Sequence, residues 1–178
     1  MASVDLSDLI DSLKREVSAP GLTQLPNATD ADYLGNLQDG FWEMILDGVI
    51  DAAVYTEADG IVSAVDSTNT TAFPKDLQQL TVFYAGFRIV RNQMRDIKTV
   101  FRSKAGPVEF ETQQAASVLK AILDHLTAQK SFILRRLSDQ GITSSYVIDQ
   151  VIARDESLYY GDTYWVSGNG RSYGGGFY

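Results

Sequence analysis

Apolar residues recur at three- and four-residue steps along most of the chain, the spacing that lines one face of an α-helix. The first run is Leu6, Leu9, Ile10, Leu13 and Val17. It predicts a short amphipathic helix over 4–17, with Ser3 as N-cap and Asp5 and Asp8 suited to the positive end of the helix dipole. Ala19-Pro20-Gly21 stops it, and Pro26 breaks the loop that follows. Thr29 or Asp30 caps a second helix, predicted to run to about Val54. Its apolar face is Tyr33, Leu34, Leu37, Phe41, Met44, Ile45 and Val49. Gly40 and Gly48 each cost about 1 kcal/mol against alanine inside a helix, which points to close packing there or to a break near Gly48.

The period fades over 55–74. The β-branched stretch from Gly60 to Asp66 fits a short strand, and the polar run Ser67-Thr-Asn-Thr-Thr71 is too hydrophilic for a core. A hairpin, a projecting loop and a plain connector all fit. Pro74 then opens the strongest element. Leu77, Leu80, Tyr84, Phe87, Val90, Met94, Ile97 and Phe101 form one continuous stripe, on a helix over 75–103 roughly 40 Å long at about 1.5 Å per residue. Arg88, Arg91, Arg95, Lys98 and Arg102 form a second stripe, each one residue after an apolar position. The basic groups therefore flank the core face at about 100°. Ala105-Gly106-Pro107 breaks the chain, and a fourth helix follows with Glu109 and Glu111 in its first turn. Ala115, Leu119, Ile122, Leu126, Ile133 and Leu137 line its inner face up to Gln140-Gly141. So short a break predicts an antiparallel helical pair. Residues 144–152 fit a short helix or a strand equally well.

The last twenty residues change character. Tyr159, Tyr160, Tyr164, Trp165, Tyr173, Phe177 and Tyr178 alternate with glycines. Such a segment builds no core of its own but offers aromatic anchors to a partner surface, and it reads as a docking arm. The expectation is an all-α fold: a small bundle of about four helices, with a short β or extended insertion near 55–73 and an extended Gly/Tyr-rich C-terminal arm. A helical domain over 1–141 precedes a C-terminal segment over 142–178.

Charge adds an asymmetry. The net charge is −8, which opposes non-specific binding to nucleic acid. Residues 1–66 hold 13 acidic and 2 basic side chains, whereas residues 67–140 hold 6 and 11. The two blocks attract each other, within one chain or between copies. Asp39, Glu43 and Asp47 are the acidic counterparts expected for the basic stripe. That stripe has two further readings, a face for phosphates and a solvated flank whose alkyl stems cover core.

The chemistry of catalysis is hard to place. There is no cysteine and one histidine, His125, so a zinc site and a thiolate nucleophile lack their ligands. Asp124 beside it points about 100° away on a helix, which favours a surface or inter-helix histidine. Gly168-Asn-Gly170-Arg-Ser-Tyr-Gly174 lacks the spacing and the strand–helix frame of a nucleotide loop. Neither a cofactor nor a metal is expected, and the chain reads as a non-enzyme. No apolar run is long enough to span a membrane, and the start has no leader-like pattern.

The segment Phe101-Arg-Ser-Lys-Ala-Gly-Pro-Val-Glu-Phe-Glu-Thr-Gln-Gln-Ala-Ala-Ser-Val-Leu119 resembles the head-to-tail adaptor proteins (head–tail connectors) of long-tailed bacteriophages, most specifically at 105–113. Leu77 to Arg91 is similar to the long helix of that family, and the helices around Leu6–Leu13 and Tyr33–Val49 match in order and length. The resemblance covers residues 1–140. It implies a small helical bundle that forms a ring below the capsid portal, extends the DNA exit channel and carries the next neck or tail proteins. The partners implied are further copies of the chain, the portal, downstream neck, stopper or tail proteins, and DNA passing without sequence specificity. The location implied is the virion neck, after assembly in the host cytoplasm. The C-terminal segment in such proteins reaches to the portal. Two alternatives stay open: a stopper or tail-terminator protein, which would be β-rich, and a small DNA-binding regulator using 88–102, whose binding would fall steeply with salt.

Overall fold

The computed structural model describes residues 3–18, 28–66, 73–103, 108–141 and 147–152, and for 96–103 and 108–116 the backbone alone. The protein is mainly helical with one small sheet.

The first residues do not begin a helix. Val4–Asp5 is a strand, β1, paired antiparallel with a later strand. The Asp5 carboxylate accepts from Ser7 N–H at 2.8 Å and so opens a 3₁₀ turn at Leu6–Leu9. Helix α1 spans only Ile10–Val17. The continuous helix from Val4 and the Ser3 cap are thus corrected. An aspartate that bonds the backbone two residues on competes with helix, and here it fixes the strand-to-turn switch.

Helix α2 spans Asp30–Leu46 and begins with a reciprocal capping box. Thr29 N–H donates to Asp32 Oδ2 at 2.7 Å, and Asp32 N–H donates to Thr29 Oγ1 at 3.4 Å. The helix ends eight residues before Val54. Gly48 takes φ +71°, its N–H donates to the Ile45 carbonyl at 2.9 Å, and Val49 N–H reaches the Met44 carbonyl at 2.9 Å. Those two bonds make a Schellman end, which needs a residue at ease with positive φ. Gly40 is a different case. A Cβ there would lie 3.0 Å from the backbone of both Thr81 and Ala85, so α2 and the next long helix meet backbone to backbone.

Strands β2 (Tyr55–Ala58) and β3 (Ile61–Ala64) form a hairpin, and the sheet order is β1-β3-β2, all antiparallel. Asp59 and Gly60 both have positive φ, 54° and 84°, the type I′ turn that matches strand twist. Tyr55, Val62 and Ala64 turn inward. The Tyr55 ring meets Phe73 edge-on at 5.2 Å, and Phe73 meets Phe41 of α2 at 5.9 Å. This aromatic chain fixes the sheet to the bundle.

Helix α3 spans Lys75–Ser103 and helix α4 spans Val108–Asp139. The two run antiparallel, as the short break requires: Asp76 binds Arg136 at 3.0 Å, and Gly86 lies against Leu126. Residues 80–87 of α3 are all buried, because α1, α2 and α4 all pack against this helix. Residues 147–152 are helical, which decides the open choice there. Ile148 and Val151 return to the same core, and Val147 lies against Gly48. No described helix is long and apolar enough to cross a membrane.

Candidate interaction surfaces

The chemistry-bearing side chains gather where α2, α3 and α4 meet. Arg88 of α3 binds Asp39 of α2 at 2.9 Å, both about half exposed. The expected partnership of the acidic block with the basic stripe thus exists at this pair inside one chain. An exposed pair of this kind adds about 0–1 kcal/mol, so it orients the helices more than it holds them. Asp47, also on the expected acidic side, accepts from the Tyr84 hydroxyl at 2.8 Å. Glu43, Arg91 and Arg95 are each already engaged in an interaction. The side chains of Lys98 and Arg102 lie outside the described residues, as do Tyr159, Tyr160, Tyr164, Trp165, Tyr173, Phe177 and Tyr178 of the arm.

Lys130 is the residue the sequence reading missed. It is only 2% exposed. Its Nζ sits 3.5 Å above the Tyr84 ring and 5.4 Å from the Phe87 ring. The Tyr84 hydroxyl points on to Asp47. A desolvated ammonium over two aromatic faces regains part of its lost hydration through their quadrupoles. The signal was available: Lys130 falls four residues after Leu126 and three before Ile133, a core position in the inner stripe of α4.

Glu57 is a second missed residue. One oxygen accepts from Gln38 Nε2 at 2.8 Å and from Gly60 N–H at 2.7 Å, and the other from Trp42 Nε1 at 3.0 Å. It locks the I′ turn and lays the hairpin along α2. His125 stands between helices, 3.4 Å from Glu16 of α1 and half exposed. Among the described residues no group of three or more histidine, aspartate or glutamate side chains converges as a metal site would require.

Two carboxylates are held below the ordinary range. Asp32 is lowered first by the Thr29 backbone N–H and then by its hydroxyl. Asp5 is lowered by the Ser7 backbone N–H and then by its side chain. Tyr33 is raised by burial, with the Lys14 charge opposing, and its hydroxyl is buried without a hydrogen-bond partner. These shifts belong to caps and packing, away from the α2–α3–α4 junction.

No family model matches the chain, and neither a curated protein nor a solved structure matches it.

Proposed function

We propose that the chain is a structural virion protein: a head–tail adaptor whose copies form a ring below the capsid portal, join head to tail and extend the DNA exit channel. The observation that carries the reading is the order of elements around the resembling segment. A short N-terminal helix, a longer helix, a small β insertion and two long antiparallel helices follow one another, and the Ala105–Gln113 segment runs from between the last two into α4. The resemblance implies a small helical bundle whose C-terminal segment reaches the portal, and a mainly helical fold suits that role. The arm, through Tyr159, Tyr160, Tyr164, Trp165, Tyr173, Phe177 and Tyr178, anchors the ring to the portal by strand addition or by aromatic insertion. Acidic α2 and the basic half of α3 favour contacts between copies, and the far side of the ring carries the next neck protein. The role needs no cofactor and no catalysis.

The test is co-sedimentation with the portal ring encoded in the same genome, using the full chain and a chain ending at 158. The full chain is expected to bind in stoichiometric amounts and the truncated one to be lost from the pellet. If neither binds, the adaptor role is wrong.

A further inference from the structure

Three aspartates of this chain are followed directly by glycine: Asp39-Gly40, Asp47-Gly48 and Asp59-Gly60. Such pairs share one intrinsic reaction. The glycine nitrogen attacks the aspartate Cγ, an N–Cγ bond forms, and the Cγ hydroxyl leaves with the amide proton as water. The product is a five-membered succinimide. Water then reopens the ring at Cγ, which restores aspartate, or at the main-chain carbonyl, which yields isoaspartate. The second course runs the backbone through Cβ and Cγ, one methylene longer, with no net change in mass. Glycine favours the reaction because no side chain screens its nitrogen.

The fold treats the three pairs differently. Asp39 lies inside α2 with its carboxylate on Arg88 at 2.9 Å, and Gly40 is pressed against the α3 backbone. Asp47 accepts from the Tyr84 hydroxyl, and the Gly48 N–H is spent on the Ile45 carbonyl at 2.9 Å. Asp59 is exposed, and its carboxylate makes no hydrogen bond or ion pair with another described residue. It is also the one non-glycine residue at positive φ among those described, at 54°, a sparsely populated conformation. The Gly60 N–H, unlike the other two, is held by a side chain, donating to Glu57 Oε1 at 2.7 Å.

Geometry keeps this pair intact. In a type I′ turn ψ of the first central residue is about +30°, which puts the Gly60 nitrogen nearly opposite Cβ across the Asp59 Cα–C bond. A succinimide needs the two on the same side, so the ring closes only after the turn opens. Glu57 resists that opening. Its carboxylate holds the Gly60 N–H in a charge-assisted bond and is itself fixed by Gln38 and Trp42 of α2. The Leu6 N–H adds a bond to the Gly60 carbonyl at 2.8 Å. We propose that Asp59 is a site of isoaspartate formation that the closed hairpin keeps dormant, and that Glu57 is the residue that keeps it so. Once formed, the extra methylene no longer fits a two-residue turn, so a transient opening of the β2–β3 corner becomes a lasting one. The proposal needs no partner and stands apart from the adaptor reading.

The test follows isoaspartate in the full chain during prolonged incubation at neutral pH, by peptide mapping with enzymatic methylation of the isoaspartyl carboxylate. The native parent is compared with the parent in concentrated urea and with Glu57→Gln and Glu57→Ala. At Asp59 the folded parent is expected to isomerise at least about tenfold more slowly than the chain in urea. Glu57→Ala is expected to run about ten- to a hundredfold faster than the folded parent, the ratio in opening that a hydrogen bond to a charged group sets. Glu57→Gln, which keeps a neutral acceptor, is expected to fall between. Deamidation at Asn169-Gly170, which changes the mass and is thereby told apart, is expected to be equal in the parent and both variants. Circular dichroism checks folding, and if Glu57→Ala does not fold, Glu57→Gln decides alone. The proposal is overturned if the folded variant isomerises at Asp59 no faster than the parent, or if the native parent matches the rate in urea. It is equally overturned if Asp39 or Asp47 outpaces Asp59 in the folded chains.

Discussion

At the scale of single residues, glycine shows how the same amino acid answers opposite demands. Gly35 and Gly40 both sit inside α2. A Cβ at Gly35 meets nothing within 4 Å, whereas at Gly40 it would press on backbone atoms of Thr81 and Ala85 at 3.0 Å. Gly35→Ala is therefore expected to stabilise the protein by up to about 1 kcal/mol, through helix propensity alone. Gly40→Ala is expected to cost about 1–3 kcal/mol despite the same gain, because two helix backbones must move apart. Urea unfolding of the pair measures both signs, and equal effects would contradict the close approach of α2 and α3. Lys130 poses a sharper question, since an ammonium has been taken out of water to sit over Tyr84. Lys130→Ala is expected to lose about 2–4 kcal/mol by leaving a hole in the α3–α4 interface. Lys130→Met, which fills most of that space without a charge to desolvate, is expected to stay within about 1 kcal/mol of the parent. If methionine is as damaging as alanine, the charge holds the site and the aromatic face is more than a tolerant neighbour.

At the scale of elements, the long periodic helices were legible and their ends were not. The stripes of α3 and α4 extend over many turns, so the bounds at Lys75 and Ser103 follow from Pro74 and the Ala105-Gly106-Pro107 break. α2 was read too long because Val49 continues its apolar period. Yet Val49 is buried just beyond the helix, as the residue that follows the Gly48 turn in a Schellman end. The hairpin was one of three open choices although Asp59-Gly60 is a strong short signal for a type I′ turn. β1 was illegible in principle, since two residues carry no period and their pairing partner lies nearly sixty positions away. Of the candidate site, the Arg88–Asp39 pair could be anticipated from opposing charge stripes, whereas the roles of Lys130 and Glu57 depend on partners from three separate elements. The caps make a testable statement about acidity. Asp32 and Asp5 have folded-state values below the ordinary 3.8. Their contribution is present above that value and lost as pH falls through the lower folded one. Stability is therefore expected to fall on acidification below about pH 4. Thr29→Ala, which removes one arm of the capping box, is expected to cost about 1 kcal/mol at neutral pH. Asp32→Asn is expected to flatten the acid limb of a chemical-denaturation series. An unchanged acid limb in that variant would mean the capping box is not where the protons go.

At the scale of the whole molecule, α3 is the organising element, with α1, α2 and α4 all packed on it. The chain also returns after α4: Ile148 and Val151 are buried in the common core, and Val147 covers the Gly48 turn that ends α2. The end of α2 is thus backed by residues more than ninety positions later in sequence. A chain ending at 152 keeps this backing, and one ending at 141 loses it. Removing two buried aliphatic side chains, at about 1.5–3 kcal/mol each, is expected to make the shorter chain about 3–6 kcal/mol less stable. A thermal melt of the two truncations checks it. If they melt together, residues 147–152 add nothing to the core, and the support they give the Gly48 turn would have to be discarded. If the shorter chain melts well below the other while its helical signal at low temperature persists, α3 and α4 survive alone and the loss falls on the α2 end.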